Sequence, residues 1–293
     1  MNGGTPAIIA GMTKRLALVL SALLSVPAFA DVELPRESPG ATLTEKIGTS
    51  TLTVSYHRPA VKGRAIWGAL VPYGNMWRLG ANDATTITLS HDAKVAGKDV
   101  PKGTYALFAI PGKESWTLIV NKQPKQWGAY FHKPSEDLLR FDVKPAALAV
   151  PVEWLTFAVV PTSPNGVRVE MAWERVRIEF PVEVDVNRIV WADLDAALAA
   201  ARPDDWTTPF QAAKYARETK QRVDQAMGWV EKSAKIKETF WHPELKARLL
   251  ADEGKYREAT ALLEKARDMS KGKAPKEYTE NLDKEILEWK KKS

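Results

Sequence analysis

The sequence contains no cysteine. This excludes disulfides, cysteine-ligated metal sites, a thiolate nucleophile and a lipidated N-terminal cysteine. Histidine is nearly as scarce. His57, His91, His132 and His242 are the whole set, with no HExxH helix and no i,i+4 pair, so the grammar of helical zinc hydrolases is missing. Neither a GxSxG elbow nor a GxxxxGK[ST] loop occurs, which removes serine hydrolysis of the α/β-hydrolase type and P-loop nucleotide chemistry. Facing carboxylates of the glycosidase kind are also lacking. Glu136 and Asp137 are sequence neighbours, would diverge on a strand, and read as a solvated turn. The cationic excess, 42 Lys+Arg against 36 Asp+Glu, is too mild to indicate a nucleic-acid binder.

Only one long apolar run is present. Residues 16–26 (LALVLSALLSV) follow Lys14 and Arg15, and Pro27 and Ala28-Phe29-Ala30 come after them. This is the order of a charged n-region, an apolar h-region and a small-residue cleavage site. Eleven residues are too few to span a bilayer, which takes ~20. The reading is a signal peptide over residues 1–30, cleaved before Asp31, and an exported protein, periplasmic or secreted, with no integral membrane segment after cleavage. Cleavage removes two cations and no carboxylate, so the formal charge falls from +6 to +4.

The remainder divides into two grammars. Residues 31–187 hold 13 of the 19 prolines, and their apolar residues alternate with period two. Thr51-Leu52-Thr53-Val54-Ser55-Tyr56 puts Leu52, Val54 and Tyr56 on one face. Further strands are expected over 85–90, 104–110, 115–120, 138–143, 152–160 and 167–180, with turn chemistry at 111–114 and 161–166. After residue 187 the period becomes 3.6, and helices are expected near 191–201, 207–219, 221–235, 242–253, 256–270 and 276–291. Within them a unit recurs at 33–34 residues. Ala226, Val230 and Ser233 correspond to Ala259, Leu263 and Ala266, and Ala213 and Ala216 to Ala247 and Leu250. The text AxLLADEGKYREATALLEKA resembles a tetratricopeptide repeat. The expected fold is therefore an α+β two-domain protein, with an N-terminal antiparallel β-sandwich over 31–187 and C-terminal tetratricopeptide-like hairpins over 188–293.

The chemistry-bearing residues gather in two segments without a clean strand pattern. Residues 57–83 carry Arg58, Lys62, Arg64 and Arg78 with no carboxylate before Asp83, together with Trp67, Tyr73, Trp77 and Asn82; His57 opens the segment. Residues 121–134 repeat the mixture with Trp127, Tyr130 and His132. Long irregular loops of this composition suit a binding face, where rings stack on flat ligands and guanidinium forks hold carboxylate or phosphate. The same residues also make plugs for the ends of a sandwich. A metal site would require His57, His132 and Asp83 to meet, and the spacing does not announce one.

The stretches SYHRPAVKGRAIWGALVPYGNMWRLGANDAT, GKDVPKGTYALFAIPGKESWTLIVNK and QWGAYFH resemble the bacterial domain-of-unknown-function family 2911 over residues 40–180. QAAKYA, WVEKSAKI and LKARLLADEGKYREA resemble the helical tail that often follows that domain. The resemblance implies an exported bacterial protein and carries no catalytic residue with it. From the residues, the leading expectation is a non-enzymatic ligand-binding or interaction module. It would take a small anionic or sugar-like ligand at the loop face, or an envelope protein through the helices, and use no cofactor and no nucleic acid. The competing expectations are a hydrolase-type or metal-dependent enzyme working at the same face through His57, Arg58 or His132, and an envelope scaffold built on the repeats.

Overall fold

The computed structural model describes residues 34–293 and Gly3. The expected signal peptide lies outside the described residues. Among the described residues ten strands precede six α-helices. β1 (Gly40–Ile47), β2 (Ser50–His57), β3 (Thr85–Leu89), β6 (Gly103–Ile110), β7 (Trp116–Asn121) and β8 (Asp137–Val143) form one sheet in the order β1-β2-β3-β6-β7-β8. β5 (Lys98–Val100), β4 (Ala93–Val95), β10 (Gly166–Glu183) and β9 (Ala146–Ser163) form the second in the order β5-β4-β10-β9. All pairings are antiparallel.

Alternation explains the layering. Leu52, Val54 and Tyr56 of β2 and Ile87 and Leu89 of β3 point inward, where they meet Leu155, Phe157, Val169, Met171 and Phe180 of the β9–β10 hairpin in one apolar core. Residues of period two on a pleated strand face opposite sides, so Thr51, Thr53 and Ser55 take the outer face of β2. β6 and β7 break this rule. Tyr105 to Ala109 are all buried, because the irregular segments fold over the outer face of these two strands. Ala84, Ala106, Phe108 and Ile119 make a second, smaller apolar cluster there, with Met76, Ile110 and Ala129 packed against it.

The expected strands are present, five of the seven longer than expected, β3 one residue shorter and β7 shifted by one, and three others are added. β1 has only Ala41, Leu43 and Ile47 as an apolar face among charged and hydroxyl residues. β4 and β5 are three residues each, joined through Ala96-Gly97 in the left-handed region. Such short edge strands are set by pairing rather than by pattern.

The helical region contains α1 (Val186–Ala200), α2 (Thr207–Thr219), α3 (Val223–Ile236), α4 (Trp241–Asp252), α5 (Tyr256–Ser270) and α6 (Lys276–Lys290). Asp185 caps α1 by accepting the Arg188 N–H at 3.0 Å, and Gly254 in the left-handed region (φ +79°) ends α4. The repeat positions Ala213, Ala216, Ala226, Val230 and Ser233 are buried, as are Ala247, Ala259, Leu263 and Ala266 in the next unit. Residues 37–293 form one compact unit. Ile189 of α1 lies in the sandwich core with Val184, and Val186 packs against it. At Gly48 (φ +59°), in the β1–β2 turn, a β-carbon would come within 2.6 Å of the Val186 side chain. The turn thus needs glycine both for its backbone and for the close seating of α1.

His242 is fully buried between α2, α3 and α4, against the Trp206 and Phe210 rings. Nδ1 accepts the Thr239 N–H at 3.0 Å, so Nε2 carries the proton and donates to Ser233 Oγ at 2.8 Å. Ser233 in turn donates to the Trp206 carbonyl. Burial pushes the imidazole below its ordinary pKa, which keeps it a neutral core histidine.

Candidate functional site

Residues 58–83, between β2 and β3, form no strand, yet isolated backbone bridges fix them along their length. Val61 N–H donates to the Glu153 carbonyl and Leu155 N–H to the Pro59 carbonyl, tying the start of the segment to β9. Trp77 and Ala109 exchange both backbone hydrogen bonds at 2.7 and 2.8 Å, tying its middle to β6. At its end Ala84 N–H donates to the Gln126 carbonyl and Gly128 N–H to the Asn82 carbonyl. The two irregular segments are therefore neighbours, held together by their main chains.

Several predicted binding residues are committed to the fold instead. Trp67 and Trp77 join Trp116 of β7 and Trp173 of β10 in a cluster between the sheets. Trp67 lies edge-on to Trp77 and Trp173 at 5.7 Å, and Trp77 stacks on Trp173 at 5.9 Å. Arg58 donates through Nε to the Leu155 carbonyl (3.0 Å) and through Nη2 to Thr156 Oγ1 (2.8 Å). Arg64 donates to the Val61 and Ala60 carbonyls. Lys62 pairs with Glu37 at 3.2 Å, and its backbone N–H reaches Glu153. Asn82 donates to the Ser38 carbonyl at 3.2 Å. Trp67 thus packs against the core, and the Arg58 and Arg64 guanidinium groups serve backbone carbonyls and a hydroxyl.

His132 is also turned inward. Its Nε2 lies 2.7 Å from Asp137 Oδ1, with side-chain exposures of 7% and 8%, and its ring meets Phe108 edge-on at 5.3 Å. This corrects the reading of Asp137 as part of a solvated turn. The carboxylate is the hub of a network, accepting from Asn121 Nδ2 (2.8 Å) and from Arg140 Nε and Nη2 (2.8 and 2.6 Å) as well as from His132. Asn121 Oδ1 then accepts from Gln126 Nε2 and the Gln123 N–H. Burial pushes the Asp137 carboxyl up, but the hydrogen bonds from Asn121, Arg140 and His132 outweigh it and hold it below the usual carboxylate range. The pairing of Asn121 with Asp137 across β7 and β8 places these side chains together. Among the described residues no three His, Asp or Glu side chains stand as a metal-holding group.

What remains on the face is Arg78. It lines a cleft of about 210 Å³ with Lys62, Arg64, Trp77 and Trp173. Among the described residues its guanidinium makes no hydrogen bond and no ion pair, and its Nε is buried without an acceptor. Burial lowers its pKa, an effect partly offset by the Tyr130 phenol and the Asp83 carboxylate. Trp173, 1% exposed, also has an indole N–H without an acceptor. Leu79, next in the chain, holds φ +53° with its side chain buried. A β-carbon at Gly128 would lie 3.5 Å from Arg78 Nη1 and 2.8 Å from the Tyr130 ring, so the second segment crosses close beside the guanidinium. Tyr130 is 80% exposed, Phe131 and Tyr73 are also exposed, and His57 is half-buried on β2.

No curated protein and no solved structure matches the chain. Residues 38–182 match the family described as protein of unknown function, DUF2911, and a helical C-terminal region follows. The match begins just before β1 and ends within β10, so it takes in both sheets and both irregular segments. The β region of this chain is consistent with a DUF2911 domain.

Proposed function

We propose that the protein is an exported binding module whose β region takes a small anionic group, a carboxylate or a phosphate, in the Arg78 cleft. The observation that carries this reading is the state of the four cations of residues 57–83. Arg58, Lys62 and Arg64 are satisfied by carbonyls, a hydroxyl or Glu37, whereas Arg78 is partly buried and uncommitted. A planar fork with free donors, walled by apolar rings, suits two oxygens of one anion. Binding is favoured over catalysis because no histidine lines the cleft, and His132 is engaged with Asp137. The expected placement beyond the inner membrane rests on residues 14–30.

The test is Arg78→Ala with two readouts. Removing a charge-assisted hydrogen bond should weaken binding of phosphate or a small dicarboxylate by about 1.5–3 kcal/mol. Melting temperature should stay nearly unchanged, since no protein group loses a partner. A lowered melting temperature with no anion response would mark Arg78 as a structural plug and overturn the proposal.

A further inference from the structure

Residues 121–135 carry Lys122, Lys125 and Lys133 and no carboxylate. All three lysines are exposed, and among the described residues none is in an ion pair. Between Lys125 and Lys133 the chain turns back on itself. The His132 N–H donates to the Ala129 carbonyl at 3.4 Å, which puts Tyr130 and Phe131 at the tip of the turn. Exposed turn tips ordinarily hold glycine, proline, asparagine, aspartate or serine. This one holds two aromatic rings, 80% and 70% exposed.

The base of the turn is fixed. Ala129 packs on the Phe108 cluster, and His132 is held by the Phe108 ring and the Asp137 carboxylate. The two rings are therefore carried outward on a braced support. Most of their apolar area stays in water, where it contributes nothing to folding. The Arg78 cleft lies beside this turn: Arg78 Nη1 and the Tyr130 ring are both within 3.5 Å of the point that a Gly128 β-carbon would take. Leu70, 45% exposed, lines the same cleft. A free anion would use the guanidinium alone. It would leave the protruding rings, the exposed leucine and the lysines without a role.

We propose, resting on the reading of Arg78 as an anion holder, that this anion is the phosphate of a membrane lipid and that the Tyr130–Phe131 turn carries the cleft to the bilayer surface. Aromatic rings are favoured at the headgroup level of a bilayer. Lysines beside them in the chain meet a negative lipid surface. A bilayer suits this tip better than a protein partner does. A fluid surface takes protruding rings without a fitted pocket, and cations uninterrupted by carboxylates match a surface of one sign.

The experiment uses residues 31–293, which contain the whole compact unit 37–293 and lack the apolar run 16–26, which would bind lipid by itself. Co-sedimentation with phosphatidylglycerol vesicles and calorimetric titration with inorganic phosphate separate a lipid headgroup from a free ion. The wild-type chain should bind these vesicles, and phosphatidylcholine vesicles much more weakly. Joint replacement Tyr130→Ser and Phe131→Ser should weaken vesicle binding about tenfold or more and leave phosphate affinity unchanged. Arg78→Ala should weaken both. Lys133→Gln should weaken vesicle binding about fivefold. Phe131→Ser alone, with its melting temperature unchanged, keeps the test free of a folding defect. Phosphate binding through Arg78 without vesicle binding would overturn the lipid assignment and leave the anion reading standing. Vesicle binding indifferent to the two rings or to Arg78 would overturn it as well. Absence of both phosphate and vesicle binding would overturn both readings.

Discussion

Replacing Asp137 with alanine tests the network that seats residues 121–134. The carboxylate is 8% exposed and receives hydrogen bonds from Asn121, His132 and Arg140. Its loss strands the Asn121 amide nitrogen, which keeps only a 3.4 Å contact to the Lys133 carbonyl, and leaves buried His132 without its hydrogen-bond partner. Breaking a buried pair from one side costs about 3–5 kcal/mol. Arg140 is 43% exposed, so water replaces part of its loss, and the low end, about 3 kcal/mol, is the better expectation. For a unit of this size that is roughly 6–12 °C in melting temperature. Asp137→Asn keeps one acceptor oxygen and should lie between alanine and wild type. The dependence on pH has a definite sign. The folded carboxyl is held below its unfolded value of about 3.9, so its contribution is fully present above that pH and fades as pH falls through the lowered folded value. Thermal melts of the three proteins from pH 7 to pH 2.5 should converge at the acid end. A drop below about 2 °C for the alanine variant at pH 7 would show the carboxylate to be solvated and the network inconsequential.

Three further expectations can be measured directly. His242 is pushed down by burial, so its stabilising effect is complete above its unfolded pKa of about 6.5 and is lost as pH falls from there toward the lowered folded value; helical melts at pH 7.5 and 5 should differ by more in wild type than in His242→Phe, and equal differences would contradict this. Residues 188–293 expressed alone should lack a cooperative melt, because Ile189 loses the core it shares with Val184 in the sandwich; a sharp transition at ordinary temperature would show that the helices stand by themselves. N-terminal sequencing of the exported protein should begin at Asp31, and a start upstream of Leu16 would refute the signal peptide.

How far each feature could be read from sequence depended on how local its cause is. Leu52, Val54 and Tyr56 alternate within one strand, and the burial they foretell follows from the pleat alone. The helices after residue 187 were equally legible, since spacing and stop signals lie within each segment; Gly254 ends α4 as its chemistry requires. Asp137 was not legible. Its burial comes from Asn121, 16 residues away, and from loop residues folding over β6 and β7. The loop composition announced either a plug or a binding face, and the structure commits part of it to the fold. Trp67 and Arg58 are plugs, and nothing in their sequence context distinguishes them from Trp127 and Arg78. The difference lies in which carbonyls and rings the rest of the fold brings within reach.

That division also bears on how well Arg78 is prepared for a ligand. An arginine side chain carries ~2 kcal/mol of rotamer entropy, most of which is lost when it grips a ligand from a flexible state. Here the chain on either side is already fixed. Trp77 is bonded to β6 through both backbone groups and stacked on Trp173, and Leu79 is buried in a left-handed conformation whose carbonyl accepts from Thr85 Oγ1 at 2.8 Å. A left-handed leucine costs ~1–2 kcal/mol, which burial of its side chain and the Thr85 hydrogen bond offset. The strain therefore sits beside the free guanidinium, where it fixes the base of the side chain before any ligand arrives. If the cleft takes an anion as proposed, part of the ordering cost of binding would be met during folding, which would favour affinity from a cleft with room for a single small group.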